Sequence, residues 1–103
     1  INEDYVTNQS DLFSLGVVLF ELLTGRHPFQ AENFSRLVQR ILSDTPPNPS
    51  ELRSGISPEL DRIIGRALAK DRAQRYQMGN DLAADLASAF DTLLQQPRES
   101  VAE

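Results

Sequence analysis

Cysteine is absent, and histidine occurs once, at His27. Without cysteine there are no disulfides, no thiolate chemistry and no cysteine-bearing zinc site. The redox compartment stays open, although an unstapled domain is compatible with the cytosol. A lone histidine cannot build a metal cluster, and no His-x-x-x-His spacing exists. Lysine is nearly missing too: Lys70 is the only one, and the other basic residues are scattered arginines. Fifteen acidic residues against ten basic ones leave a net charge of -5. Nucleic-acid binding, which needs a clustered basic face, is therefore not expected. The five glycines are isolated, so no loop can cradle a phosphate. Long apolar runs are lacking as well. The longest, Leu12 to Leu23, is broken by Ser14, Gly16 and Glu21. It falls short of the roughly 20 residues that a spanning helix needs, so no membrane contact by this segment is expected. Ile1 to Asp11 is polar and acidic, unlike a signal peptide. The chain starts without Met, which fits an excised or truncated piece as well as a tag-cleaved protein.

What is present suits one small domain or part of a larger one: 103 residues, 40% hydrophobic and 24% charged. A chain this size buries only about two-thirds of its unfolded surface, so its core is modest.

Four helices are expected, and no strand, because nothing alternates with period two. Ser10 is the predicted cap of the first, with Asp11 as an acid in its first turn. Apolar residues then fall on nearly every side from Leu12 to Leu23, and Gly25 ends the helix. A helix apolar all round has to be surrounded by protein. The second is expected at Ala31 to Leu42, burying Phe34, Leu37, Val38, Ile41 and Leu42 while Arg36, Gln39 and Arg40 face water. The third opens with Ser57 as cap and Pro58 at the first helical position, and its stripe is Leu60, Ile63, Ile64, Ala67 and Leu68. The fourth runs from about Asn80 to Leu94, with Leu82, Leu86, Ala89, Phe90, Leu93 and Leu94 inward. Pro46, Pro47 and Pro49 exclude helix and central strand between Asp44 and Ile56. After Leu94, residues 95–103 form a tail expected to fray.

No self-contained active site emerges from these residues. His27, between Arg26 and Pro28, reads as a surface turn residue. Asp81 and Asp85, at i and i+4, read as a solvated helix face, and Glu99 lies in the tail.

The order of motifs is more telling. Ser10-Asp11-Leu12-Phe13-Ser14-Leu15-Gly16-Val17-Val18-Leu19-Phe20-Glu21-Leu22-Leu23-Thr24-Gly25 closely resembles the central F helix of protein kinases. His27-Pro28-Phe29 resembles the segment that follows it. Pro46-Pro47-Asn48-Pro49-Ser50-Glu51-Leu52 is similar to the linker after the G helix in bacterial, eukaryotic-type serine/threonine kinases. Leu68-Ala69-Lys70-Asp71-Arg72-Ala73-Gln74-Arg75-Tyr76 resembles the joint between the H and I helices. Two positions depart from the pattern: Arg72 stands where proline is common, and Met78 where a capping serine is.

The resemblance implies an all-α, four-helix C-terminal subdomain of the protein-kinase fold, covering residues 1–94. It implies that Asp11 hydrogen-bonds the catalytic-loop backbone, a role compatible with capping free helix N–H groups. It implies that Arg75 pairs with the glutamate of an Ala-Pro-Glu motif, where the alternative is an exposed arginine. Phe34, Arg36, Gln39 and Arg40 become a candidate docking surface for substrates or partners. The kinase motifs that hold ATP and Mg and that position the reacting hydroxyl are missing from the chain. No catalytic, cofactor-binding or metal-ligating residue is therefore assigned here, and ATP and Mg belong to the whole kinase. The expected partners are the rest of the kinase domain or a protein substrate, in the cytoplasm. Isolated, the chain is expected to form a homo-oligomer, because its first helix lacks neighbours. The other reading is a free-standing, kinase-derived helical interaction module.

Overall fold

Nothing between Asn2 and Leu15 breaks a helix: there is no glycine and no proline. In the computed structural model, which describes residues 2–95 and side chains from Gln9 onward, α1 accordingly runs unbroken from Asn2 to Thr24. This corrects the expected start. Ser10 is an exposed mid-helix residue rather than a cap, and Asp11 is not a first-turn acid. The far end is as expected: Gly25 takes φ 76° and its N–H donates to the Glu21 carbonyl at 2.8 Å.

α2 spans Phe34–Ser43, starting later than Ala31 because Asn33 caps it. The Asn33 Oδ1 accepts from the Arg36 N–H at 2.9 Å. Its apolar stripe is not buried, contrary to expectation. No residue of α2 is buried, and Phe34 and Leu42 are 79% and 72% exposed.

The proline-rich linker holds a further single turn of helix, α3, at Pro49–Leu52. Pro49 starts this turn instead of forbidding it, since the first helical position needs no N–H. The Asn48 N–H donates to Glu51 Oε2 at 3.1 Å, which fastens the turn. α4, Pro58–Ala67, matches the reading of its sequence. Ser57 Oγ accepts from the Leu60 N–H at 3.2 Å, and Leu60, Ile63, Ile64 and Ala67 are buried. α5, Gly79–Gln95, buries Leu82 and Ala89 and half-buries Leu86. Phe90, Leu93 and Leu94 are exposed, against expectation. The reason is length: α5 extends about 25 Å and α4 about 15 Å, so the last turns of α5 run past their neighbour. Residues 96–103, including Glu99 and most of the expected tail, lie outside the described residues.

α4 is the hub, packing on α1, α3 and α5. Its consecutive Ile63 and Ile64 feed two cores. One joins Leu12, Leu60, Ile63, Ala67, Tyr76, Leu82 and Ala89; the other joins Phe20, Ile64 and Leu68. α1 is therefore not encircled. Leu15, Val18 and Leu22 are 42%, 47% and 73% exposed, because α3 and α4 cover only one side of it.

Candidate functional site

Asp11 lies on the open side of α1, exposed, in line with Leu15, Val18 and Leu22 at helical spacing. Arg75 sits in the loop from α4 to α5, where Asp71 organises the chain. The Ala73 N–H donates to Asp71 Oδ1 at 2.9 Å, and the Arg75 N–H donates to the Asp71 carbonyl at 3.2 Å. Arg75 is 9% exposed, so the reading as an exposed arginine does not hold. Its Nε and Nη2 donate to the Ala69 carbonyl at 3.0 and 2.8 Å, and its guanidinium lies 5.1 Å from the centre of the Phe13 ring. Burial, and then the charge of Arg72, lowers its pKa. The same loop is tied to α1 by buried Gln9, whose Nε2 donates to the Arg72 carbonyl at 3.1 Å.

Lys70, which belongs to the same motif, has a distinctive setting. Its Nζ lies 4.2 Å from the centre of the Phe29 ring and 5.9 Å from that of Phe13. The two rings stack at 6.4 Å with 9° between their planes. The ammonium nitrogen is buried and has no hydrogen-bond partner among the described residues. Burial lowers its pKa, Asp44 opposes that shift, and Arg75 adds to it. A cavity of about 290 Å³ opens beside it, lined by Ser10, Phe13, Ile41, Leu42, Lys70 and Arg75.

The remaining candidates separate. Arg36, Gln39 and Arg40 share the polar side of α2, with Arg36 Nη1 donating to Gln39 Oε1 at 3.4 Å and Arg40 Nη1 3.3 Å from Asp44 Oδ2. Phe34 is on the opposite side of the helix, aligned with Val38 and Leu42, so the four do not make one patch. His27 is a turn residue: its Nδ1 accepts from the Phe29 N–H at 3.0 Å. Asp81 is exposed, as expected of a solvated face. Asp85 departs from that reading. It is half-buried and accepts at 2.6 Å from the hydroxyl of fully buried Tyr76, with Arg66 4.2 Å above the Tyr76 ring centre. Burial first, and then Asp85, raises the Tyr76 pKa well above its ordinary range. Asp85 stands three residues from Leu82 on the inward side of α5, and that spacing was the available signal. Among the described residues no group of His, Cys, Asp or Glu converges to hold a metal ion, and no helix is long and apolar enough to cross a membrane.

Residues 1–86 match the protein kinase domain pattern. The chain belongs to the protein kinase domain family. Three bacterial relatives show which branch it resembles. Serine/threonine-protein kinase PknD of Mycobacterium tuberculosis is 37% identical over 99 residues, 95% of this chain and 15% of the relative. Serine/threonine-protein kinase PrkC of Bacillus subtilis is 39% identical over 85 residues, 82% of this chain and 13% of the relative. Serine/threonine-protein kinase PknB of Mycobacterium leprae is 40% identical over 83 residues, 81% of this chain and 13% of the relative. The chain thus spans a small part of the length of these kinases and corresponds to the helical C-terminal part of the kinase domain.

Proposed function

We propose that this chain is the structural and docking subdomain of a cytoplasmic serine/threonine protein kinase, non-catalytic by itself. The whole kinase would transfer the γ-phosphoryl group of ATP, held with Mg, to protein hydroxyls. The observation that carries this reading is the family match over residues 1–86, with bacterial serine/threonine kinases aligned along 81–95% of the chain. Among the described residues no group of His, Cys, Asp or Glu converges as ligands of Mg would. ATP and Mg would be held by other parts of the kinase. In this frame the exposed side of α1, with Asp11, faces the catalytic loop, Arg75 receives a glutamate carboxylate, and the polar side of α2 contacts substrates or partners.

A chimera tests it. Residues 1–94 replacing the aligned segment of PknB of M. leprae should yield a protein that still transfers phosphate from ATP to protein substrate. The 103-residue chain alone should give no saturable heat with Mg-ATP. A folded but inert chimera, or micromolar Mg-ATP binding by the isolated chain, would sink the proposal.

The isolated chain is also proposed to self-associate, pairing the exposed row Leu15, Val18 and Leu22 about a two-fold axis. Light scattering after size exclusion at micromolar concentration should report a dimer or larger species. A compact monomer with a cooperative melt would contradict this.

A further inference from the structure

α2 carries two arginines and no acidic residue, in a chain whose acids outnumber its bases by fifteen to ten. Arg36 and Arg40 stand one turn apart on its polar side and together border two adjoining hollows. The first, of about 450 Å³, also meets Glu32; the second, of about 220 Å³, meets Gln39, Ser43 and Asp44. Neither guanidinium is saturated. Arg36 is exposed, and its Nη1 makes one long hydrogen bond of 3.4 Å to the neutral Gln39 Oε1. It has no ion pair among the described residues. Arg40 engages Asp44 through Nη1 at 3.3 Å and leaves Nη2 without a hydrogen bond, with 41% of its side chain exposed. Each arginine thus keeps accessible donors in a planar fork whose natural match is a carboxylate. Glu32 and Asp44 equal the arginines in number but do not occupy them. Glu32 borders the first hollow alone, and an exposed pair such as Arg40–Asp44 is weak enough to rearrange around a better partner.

We infer that this stripe of α2 docks an extended acidic segment of a protein partner, with carboxylates at alternate positions, one on Arg36 and one on Arg40. The inference rests on the reading of the polar side of α2 as a docking surface, and names the chemistry of what docks there. Charge complementarity sets the sign of the partner, because the only unsaturated charges on this face of the helix are positive. Geometry sets the spacing. Side chains one helical turn apart have Cβ atoms about 6 Å from each other. In an extended chain, side chains two residues apart share a face and stand about 7 Å from each other. Adjacent acids point to opposite faces, so only one of them would reach the arginines. Two hollows beside one arginine pair give room for two head groups, where a single inorganic anion would fill one.

The 103-residue chain, labelled with nitrogen-15, is titrated with acetyl-Ser-Glu-Ser-Glu-Ser-amide, its Ser-Gln-Ser-Gln-Ser counterpart, acetyl-Ser-Glu-Glu-Ser-Ser-amide and inorganic phosphate. The backbone and arginine side-chain signals of α2 should shift saturably with the alternating glutamate peptide and stay still with the glutamine peptide. Affinity should fall several-fold between about 0.05 and 0.5 M salt, as screening of an exposed contact requires. Arg36→Gln should weaken binding by about threefold, and Arg36→Gln with Arg40→Gln by about tenfold. Glu32→Gln should tighten it by about twofold, a gain that a merely structural role of these side chains would not produce. Phe34→Ser, on the opposite side of the helix, should leave it unchanged. These substitutions are exposed, so each variant should fold like the parent by circular dichroism. Equal binding of the glutamine peptide would overturn the acidic partner and leave the docking reading of α2 intact. If no peptide moves the α2 signals, both fall. Equal binding of the adjacent-glutamate peptide would overturn the alternate spacing, and phosphate binding as well as the alternating peptide would overturn the assignment to side-chain carboxylates.

Discussion

Phe20→Asp is expected to unfold the chain. Phe20 has no exposed surface and packs with Ile64 and Leu68, with Val17, Leu19, Leu23 and Leu52 around them. Removing the ring forfeits about 3–5 kcal/mol of packing. An unpaired carboxylate in that site costs several kcal/mol more, or takes up a proton and stays an unsatisfied polar group. A domain of this size has only about 5–15 kcal/mol of net stability, so the sum meets or exceeds what is available. Gln39→Asp, on the exposed polar side of α2, should change stability by no more than about 0.5 kcal/mol. Leu19→Asp should fall between the two, because Leu19 is only half-buried. Thermal melts by far-ultraviolet circular dichroism distinguish these cases. Equal melting temperatures for Phe20→Asp and Gln39→Asp would mean that the α1–α4 packing described above is wrong.

The contrast between Phe20 and Leu22 shows what hydrophobic patterning can and cannot convey. Both are apolar positions of the same helix, yet one is fully buried and the other 73% exposed. A run of apolar residues records that a helix has apolar faces; the neighbours present decide which faces are covered. The stripe on α2 illustrates the same point, since its period was legible and its burial was not. Start signals read well where a proline was one of them. Ser57 and Pro58 agreed on one boundary and α4 begins there, whereas Ser10 and Asp11 also suggested a start and the helix passes through both. A serine can cap, but it also sits in a helix interior when its hydroxyl faces solvent. Pro49 misled in the opposite direction: a residue that breaks a helix interior also starts a helix well.

At the candidate site, the motif around Arg75 led to the right loop but not to its surroundings. Phe29, Phe13 and Lys70 come from three separate segments, and only the packing of α1 against the loop after α4 brings them together. The same holds for Tyr76 and Asp85, whose hydrogen bond needs the loop to turn back on α5. Contacts of this kind are set by the tertiary arrangement, and local spacing suggests at most one of the two partners.

Gly16 and Gly65 should respond to alanine with opposite signs. Both are helical, and in an exposed helix interior Gly→Ala stabilises by about 0.5–1 kcal/mol. Gly65 is exposed, and an added Cβ would meet nothing within 4 Å. Gly65→Ala should therefore raise the melting temperature by a few degrees, at about 4–8 °C per kcal/mol for a domain of this size. At Gly16 an added Cβ would stand 2.9 Å from Ala67 Cβ and 3.1 Å from Leu68 Cδ2. Leu68 can change rotamer, but the Ala67 Cβ is fixed to its backbone, so α1 and α4 would have to move apart. Overpacking of this kind costs about 1–3 kcal/mol, which outweighs the helical gain. Gly16→Ala should thus melt lower than the parent sequence. Gly16→Val, with two further methyl groups at the crossing and a smaller gain in helix propensity, should lose about 3 kcal/mol or more. Urea denaturation of the three variants, compared at one slope, measures the differences. If Gly16→Ala is stabilised as Gly65→Ala is, α1 and α4 do not approach through a glycine contact and the hub role of α4 would have to be abandoned.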